Sequence, residues 1–94
     1  MVDRRPLISI GMPIYNGGDF LERALESLLG QDYDNFKLIV SDNHSTDSTQ
    51  EICLDYMARD NRIHYHRNET NVGAINNFNK VFKPEDGFTF IVIC

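Results

Sequence analysis

Seven polar residues in a row, Ser41-Asp42-Asn43-His44-Ser45-Thr46-Asp47, follow the short apolar run Phe36-Lys37-Leu38-Ile39-Val40. Another run, Leu7 to Met12, leads into Pro13-Ile14-Tyr15-Asn16. Two strand ends would then each deliver polar groups at the place where open α/β sheets bind ligands. A carboxylate in the first group could accept from a base N–H or a ribose hydroxyl. Tyr15 offers a flat ring and a hydroxyl, and Asn16 can bond to nearby backbone and steady a turn. Pro13 fixes φ and removes a donor, so it is expected to end strand pairing. The plainer readings are a strand-to-helix turn for Pro13 to Asn16 and helix capping for the polar run. Capping needs one or two Ser, Thr or Asp residues and does not easily account for all seven.

Other candidate groups carry less. His64 and His66 share one face of a strand, about 7 Å apart by strand geometry. His44 belongs to another loop, and the spacing fits no zinc pattern. Solvent-facing histidines are the expectation. Cys53 falls in a helix among apolar neighbours and reads as packing, not as a nucleophile. No Gly-x-Gly-x-x-Gly, Walker or Gly-x-Ser-x-Gly motif occurs. Asn68, Asn71, Asn76, Asn77 and Asn79 gather around a third helix. Asn71 and Gly73 are placed near its start, and Asn76 and Asn79 read as solvated.

The elements that would position these groups follow from periodicity. Leu7, Ile8, Ile10 and Met12 read as a buried strand. Gly17-Gly18 precede a helix of about a dozen residues. Phe20, Leu21, Ala24, Leu25, Leu28 and Leu29 form its single apolar face, and Gly30 can close it. Phe36 to Val40 is the second strand. Ser48-x-x-Glu51 fits a capping box for a second helix, with Ile52, Cys53, Tyr56 and Met57 as its stripe. Arg62 to Arg67 alternates Ile63 and Tyr65 with His64 and His66, a pattern suited to a sheet edge. A third helix carries Ile75, Phe78 and Phe82 at i, i+3, i+7, and Phe88 to Cys94 is an apolar fourth strand. The order β-α-β-α-β-α-β implies a parallel sheet with helices on its faces.

The chain has 94 residues, which allow one domain with a modest core. Its net charge of −5 argues against nonspecific nucleic-acid binding. It leaves room for a small anionic ligand at helix starts. Two cysteines, Cys53 and Cys94, make neither a zinc motif nor a disulfide framework. A reducing compartment fits. No apolar run reaches transmembrane length and no signal h-region is seen, so a soluble, cytoplasmic chain is expected. The last strand ends in Ile-Val-Ile-Cys without a polar turn. Residues 1–94 are therefore read as a single domain that is an N-terminal fragment of a longer protein, the alternative being a complete small domain.

Three motifs in this order resemble family 2 glycosyltransferases. They are Pro13-x-Tyr15-Asn16, Ser27-Leu28-Leu29-Gly30-Gln31-Asp32-Tyr33 and Val40-Ser41-Asp42-Asn43-His44-Ser45-Thr46-Asp47-Ser48-Thr49, with Asn71-x-Gly73 and Asn77-x-Asn79 in support. The resemblance runs from about Pro6 to Cys94. It implies the N-terminal half of a GT-A domain, a Rossmann-like parallel sheet. It implies that Pro13 and Tyr15 line a base pocket and that Asp42 and Asn43 occupy the family's acidic doublet. The second position of that doublet, often a contact to uracil, is here Asn43, whose oxygen could still accept from a base N–H without charge. His44 stands where the family often has Gly. The family's Asp-x-Asp motif, which binds Mn²⁺ or Mg²⁺, follows the fourth strand, and none follows Cys94 here.

The implied parent is an inverting glycosyltransferase, and cell-envelope polysaccharide is its expected setting. It would move sugar from a nucleotide-diphosphate sugar to an acceptor saccharide or lipid-linked acceptor, with Mg or Mn in the full-length enzyme. This chain would supply the nucleotide contacts Pro13, Tyr15, Asp42 and Asn43 and no catalytic or metal-binding residue. Alone it is expected to be inactive. Asp47 and Ser45 are expected to shape the loop and cap the second helix. Two other classes stay open: a noncatalytic nucleotide-binding module, and an interaction domain self-associating through Phe88 to Cys94.

Overall fold

The computed structural model describes residues 7–81 and 89–91. Strands β1 (Ile8–Ile14), β2 (Phe36–Asp42), β3 (Ile63–Arg67) and β4 (Thr89–Ile91) alternate with helices α1 (Gly18–Leu29), α2 (Thr49–Arg59) and α3 (Ala74–Val81). The strands form one parallel sheet in the order β3-β2-β1-β4. This is the expected α/β alternation. It places the polar ends of β1 and β2 side by side, Ile14 opposite Asp42.

Strand periodicity sorts the two faces. Ile10, Met12 and Ile14 of β1 and Phe36, Leu38 and Val40 of β2 share one face. They form the core with Leu21 and Leu25 of α1, Cys53 and Tyr56 of α2, and Ile63 of β3. The opposite face of β1 and β2 packs on α3. Tyr56 also ties the two helices of the first layer together, its hydroxyl donating to Glu26 Oε1 at 2.6 Å.

At the other end of the sheet Arg62 acts as a clamp. Its guanidinium lies 4.5 Å from the Phe36 ring centroid. It pairs with Asp60 at 2.8 Å and donates to the Leu29 and Asp34 carbonyls, both at 3.3 Å. The hydrogen bonds and charge of Arg62 hold the Asp60 carboxyl below its ordinary value.

Four expectations change. β1 does not stop at Pro13, which stays in register opposite Ser41. In β1, Ile8 N–H donates toward β2 and Ile14 C=O accepts from Asn43 N–H. The two-residue period therefore turns the nitrogen of Pro13 toward β4, beyond the last described pair, Gly11 with Ile91. No described ladder bond needs that donor.

The capping box does not form, because Ser48 makes no side-chain cap bond. Phe20 is largely exposed, its ring lying over Gly17. On α3 the side chains turned to the sheet are Asn77 and Val81, while Ile75 is 77% exposed. The reason is local. The sheet presents the Ser41 hydroxyl and carbonyl to α3, and Asn77 satisfies both. Phe82, Phe88 and residues 92–94 lie outside the described residues.

Candidate functional site

The β1–α1 turn and the β2–α2 loop are stitched together by side chains. Asn16 N–H donates to Ser45 Oγ at 2.8 Å, and Thr46 N–H donates to Asn16 Oδ1 at 2.8 Å. Gly17 N–H donates to Thr49 Oγ1 at 3.0 Å. Asp47 reaches both helix starts. Its Oδ1 accepts from Thr49 N–H at 3.0 Å and from Thr49 Oγ1 at 2.6 Å, and its Oδ2 accepts from Gly18 N–H at 3.0 Å. These bonds, that from the Thr49 side chain foremost, hold the Asp47 carboxyl below its ordinary value. Asp47 thus caps α2, as expected of it, while Ser48 of the capping-box pattern makes no side-chain cap bond. The close approach also explains Gly18, where a Cβ would sit 2.4 Å from Ser48 Oγ.

Asp42 lies behind this loop. Its side chain is 0% exposed. Oδ1 accepts from Ser45 N–H at 2.9 Å and from Ser45 Oγ, while Oδ2 accepts from the Tyr65 hydroxyl. Burial and the bond to Asp42 push the Tyr65 phenol above its ordinary range. Asp42 is therefore a fully partnered carboxylate that fixes the loop. His44 follows at φ 67°, a backbone state that favours glycine, which agrees with the Gly often found there in the resembling family. Its Nδ1 lies 3.1 Å from the Asn68 carbonyl.

Asn43 opens a second network. Its Oδ1 accepts from Val72 N–H at 2.9 Å and from Asn68 Nδ2 at 3.0 Å, and its Nδ2 donates to Asn71 Oδ1 at 2.9 Å. Asn68 Nδ2 also donates to Asn77 Oδ1 at 3.0 Å, and Lys80 Nζ donates to Asn68 Oδ1 at 2.9 Å. Asn43, Asn68 and Asn77 are buried. The expectation that the Asn43 oxygen is open to a base N–H meets a different arrangement, with two protein donors already on that oxygen.

Against this network lies a cavity of about 430 Å³. Pro13, Ile14 and Tyr15 line it from the end of β1, and Asn43 from the end of β2. Asn71, Ala74, Ile75, Asn77 and Phe78 close it from the α3 side. Of the four residues singled out for nucleotide contact, the structure brings Pro13, Tyr15 and Asn43 to the cavity and sets Asp42 behind it. Ile75 and Phe78, the first two positions of the apolar spacing on α3, are cavity walls. Asn76 and Asn79 are exposed, as expected. The burial of Asn68 and Asn77 was not read from the sequence. Its one signal was the number of asparagines near α3.

His64 and His66 are exposed on the edge strand. Cys53 is 0% exposed, and burial, with nearby Asp42, pushes its thiol up to about 12, which leaves it unreactive. Among the described residues no three His, Cys, Asp or Glu side chains come together to hold a metal ion.

Residues 9–93 match the family described as glycosyl transferase family 2. The chain belongs to this family. It is 36% identical over 87 residues to TuaG of Bacillus subtilis (strain 168), a glycosyltransferase named for teichuronic acid biosynthesis, covering 93% of this chain and 34% of TuaG. It is 43% identical over 68 residues to glycosyltransferase GlyG of Streptococcus pneumoniae serotype 4, covering 72% of this chain and 23% of GlyG.

Among solved structures, S. aureus TarS 1–349 in complex with UDP superposes with a TM-score of 0.79 at 26% identity. The match covers 94% of this chain and 27% of that one. The mannosyltransferase PcManGT from Pyrobaculum calidifontis, in complex with GDP-Man and Mn²⁺, shares the fold with a TM-score of 0.72 at 24% identity, over 81% of this chain and 23% of its own. The fold is GT-A, a Rossmann-like parallel sheet. The chain spans about a quarter to a third of the length of these relatives.

Proposed function

We infer that this chain forms the nucleotide-holding part of a glycosyltransferase that moves sugar from a nucleoside-diphosphate sugar to an acceptor hydroxyl. The observation that carries the reading is the cavity at the carboxyl ends of β1 and β2, lined by Pro13, Tyr15 and Asn43. Its size is that of a small-ligand site. Tyr15 and Phe78 offer rings on which a base can stack, an interaction worth about 1–3 kcal/mol per base. Asp42 acts through the loop it fixes, keeping Asn43 and the turn at Ser45 in place. The acceptor, a saccharide or lipid-linked saccharide, and the divalent cation would engage other parts of the full-length protein. There the cation would stabilise the leaving diphosphate. Cell-envelope polysaccharide is the setting that fits the name of TuaG, a glycosyltransferase named for teichuronic acid biosynthesis, and a buried free Cys53 fits a cytoplasmic, reducing one.

The test is a titration of the ¹⁵N-labelled chain with UDP, dTDP and GDP, with and without Mg²⁺. Shifts confined to Tyr15, Asn43, Asn71 and Ala74 to Phe78 are expected. Tyr15→Ala should weaken binding about fivefold or more, the equivalent of one lost stacking contact. Shifts centred on another face of the sheet, or none with any nucleotide, would sink the reading.

A further inference from the structure

We propose that the open edge of β3 pairs with the same edge of a second copy of this chain, and that His64 and His66 of the two copies then share a divalent transition-metal cation. Neither histidine lines the nucleotide cavity, and the proposal stands apart from the nucleotide reading.

β3 is the outer strand of the described sheet. The Arg62 carbonyl accepts from Leu38 N–H, and Asn68 N–H donates to the Asp42 carbonyl. The backbones of Arg62 and Asn68 therefore face β2, and the two-residue period gives His64 and His66 the same direction. Those of Ile63, Tyr65 and Arg67 face outward. Ile63 N–H goes to the Asp60 carbonyl at 3.3 Å. Among the described residues, the Tyr65 and Arg67 backbones meet no strand on that side. Such an edge is a template for another strand, and β3 carries no proline or lysine to block it.

The pattern is self-complementary. An antiparallel pair centred on Tyr65 sets the two copies of Tyr65 opposite each other and Ile63 opposite Arg67, both as hydrogen-bonded pairs. His64 then falls opposite His66 of the second copy at a non-hydrogen-bonded position, where Cα atoms come within about 4.5 Å. Both histidines are exposed and share one face. Two such cross-strand pairs therefore flank the two-fold axis on the same side of the sheet. Neutral imidazole is a ligand for zinc and its neighbours. One chain supplies two, and among its described residues no third His, Cys, Asp or Glu joins them. The second copy completes the set.

Helix α2 covers the same edge. Its Tyr56 is turned to α1, where the hydroxyl meets Glu26. Helical period puts Leu54 and Met57 on the flank away from α1, toward the open edge, and both are exposed. In the pair they approach the same side chains of the second copy.

Self-association of the untagged chain is measured by sedimentation equilibrium, with Zn²⁺ and with a chelator. A cation that binds only the dimer, at about 100 times its dissociation constant, strengthens association about a hundredfold. Binding to the two histidines of a single chain subtracts from that, so a gain of about tenfold or more is expected. His64→Ala and His66→Ala, both at exposed positions, should each lose most of the gain. Mixed in equal amounts they should recover part of it. The mixed dimer keeps one complete pair, His64 of one chain with His66 of the other.

A wild type whose association ignores Zn²⁺ overturns the proposal. A gain undiminished in either variant places the cation elsewhere and overturns it too. A mixture as weak as the variants alone overturns the antiparallel register on which the shared site rests. None of these results bears on nucleotide binding, so the two readings fail separately.

Discussion

Replacing Asp47 with Ala removes one carboxylate from two helix starts at once. The capping bond to Thr49 N–H is of the kind whose loss costs about 1 kcal/mol. The bond to Gly18 N–H is charge-assisted but solvent-exposed, so it adds roughly 0.5–1 kcal/mol after screening. The Thr49 hydroxyl still accepts from Gly17 N–H, but its own proton loses Asp47 Oδ1, so two backbone donors and one hydroxyl donor lose their partner. The expected total is about 2 kcal/mol at pH 7. With a urea m-value of about 1 kcal/mol/M, the midpoint should fall by about 2 M.

The effect carries a pH signature. The folded chain holds the Asp47 carboxyl below its ordinary 3.8, so the unfolded chain takes up the proton first. The stabilisation is present in full above the unfolded value and is lost as pH falls through the folded one. The gap between wild type and Asp47→Ala should therefore narrow below about pH 4. Urea unfolding followed by circular dichroism at neutral and acid pH measures both quantities. A neutral-pH loss below about 0.5 kcal/mol, or a gap that stays constant in acid, would refute the assignment of Asp47 as the shared cap.

Gly73 has φ +90° with open space where a Cβ would go. Gly73→Ala should then cost only backbone strain, about 1–2 kcal/mol in urea unfolding; no loss would contradict the left-handed assignment. With Cys94 replaced by Ser, the buried and strongly disfavoured Cys53 thiolate should leave the folded chain unreactive toward a disulfide reagent at pH 8. Reaction should begin only as urea unfolds the chain, and prompt labelling in native buffer would contradict the packing described.

Elements set by apolar burial were legible in the sequence. The β1 and β2 runs, the Leu21/Leu25 face of α1 and the alternation of β3 all follow from a period matched to a buried face. The failures lie where a polar group, not an apolar one, decides orientation. On α3 the apolar stripe pointed to Ile75 and Phe78, yet the unsatisfied hydroxyl and carbonyl of Ser41 drew Asn77 inward and left those two to the cavity. At α2 the sequence offered both the Ser48 capping box and Asp47 as cap; Asp47 holds the role, and its reach to the start of α1 is the part that periodicity cannot see. Pro13 looked like a strand end because its missing donor counts only if a partner is waiting, and sheet order decides that. For the site, Tyr15 and Asn43 were visible as polar groups at strand ends. The hydrogen-bond polarity of Asn43 was not, since it depends on Val72, Asn68 and Asn71, which are brought to it only by folding.

The parallel order β3-β2-β1-β4 sets β1 between β2, the next strand in sequence, and β4, the most distant of the described strands. During synthesis one edge of β1 finds β2 early, while the other waits until Thr89 to Ile91 leave the ribosome. The pairing of Ser9 with Thr89 closes a long loop that contains β2 and β3, the kind of contact that forms late because loop closure precedes its reward. A nascent chain halted in α3 would carry the finished amide network beside a β1 with one bare edge, and it would be that edge, not the cavity, that a chaperone had to shield.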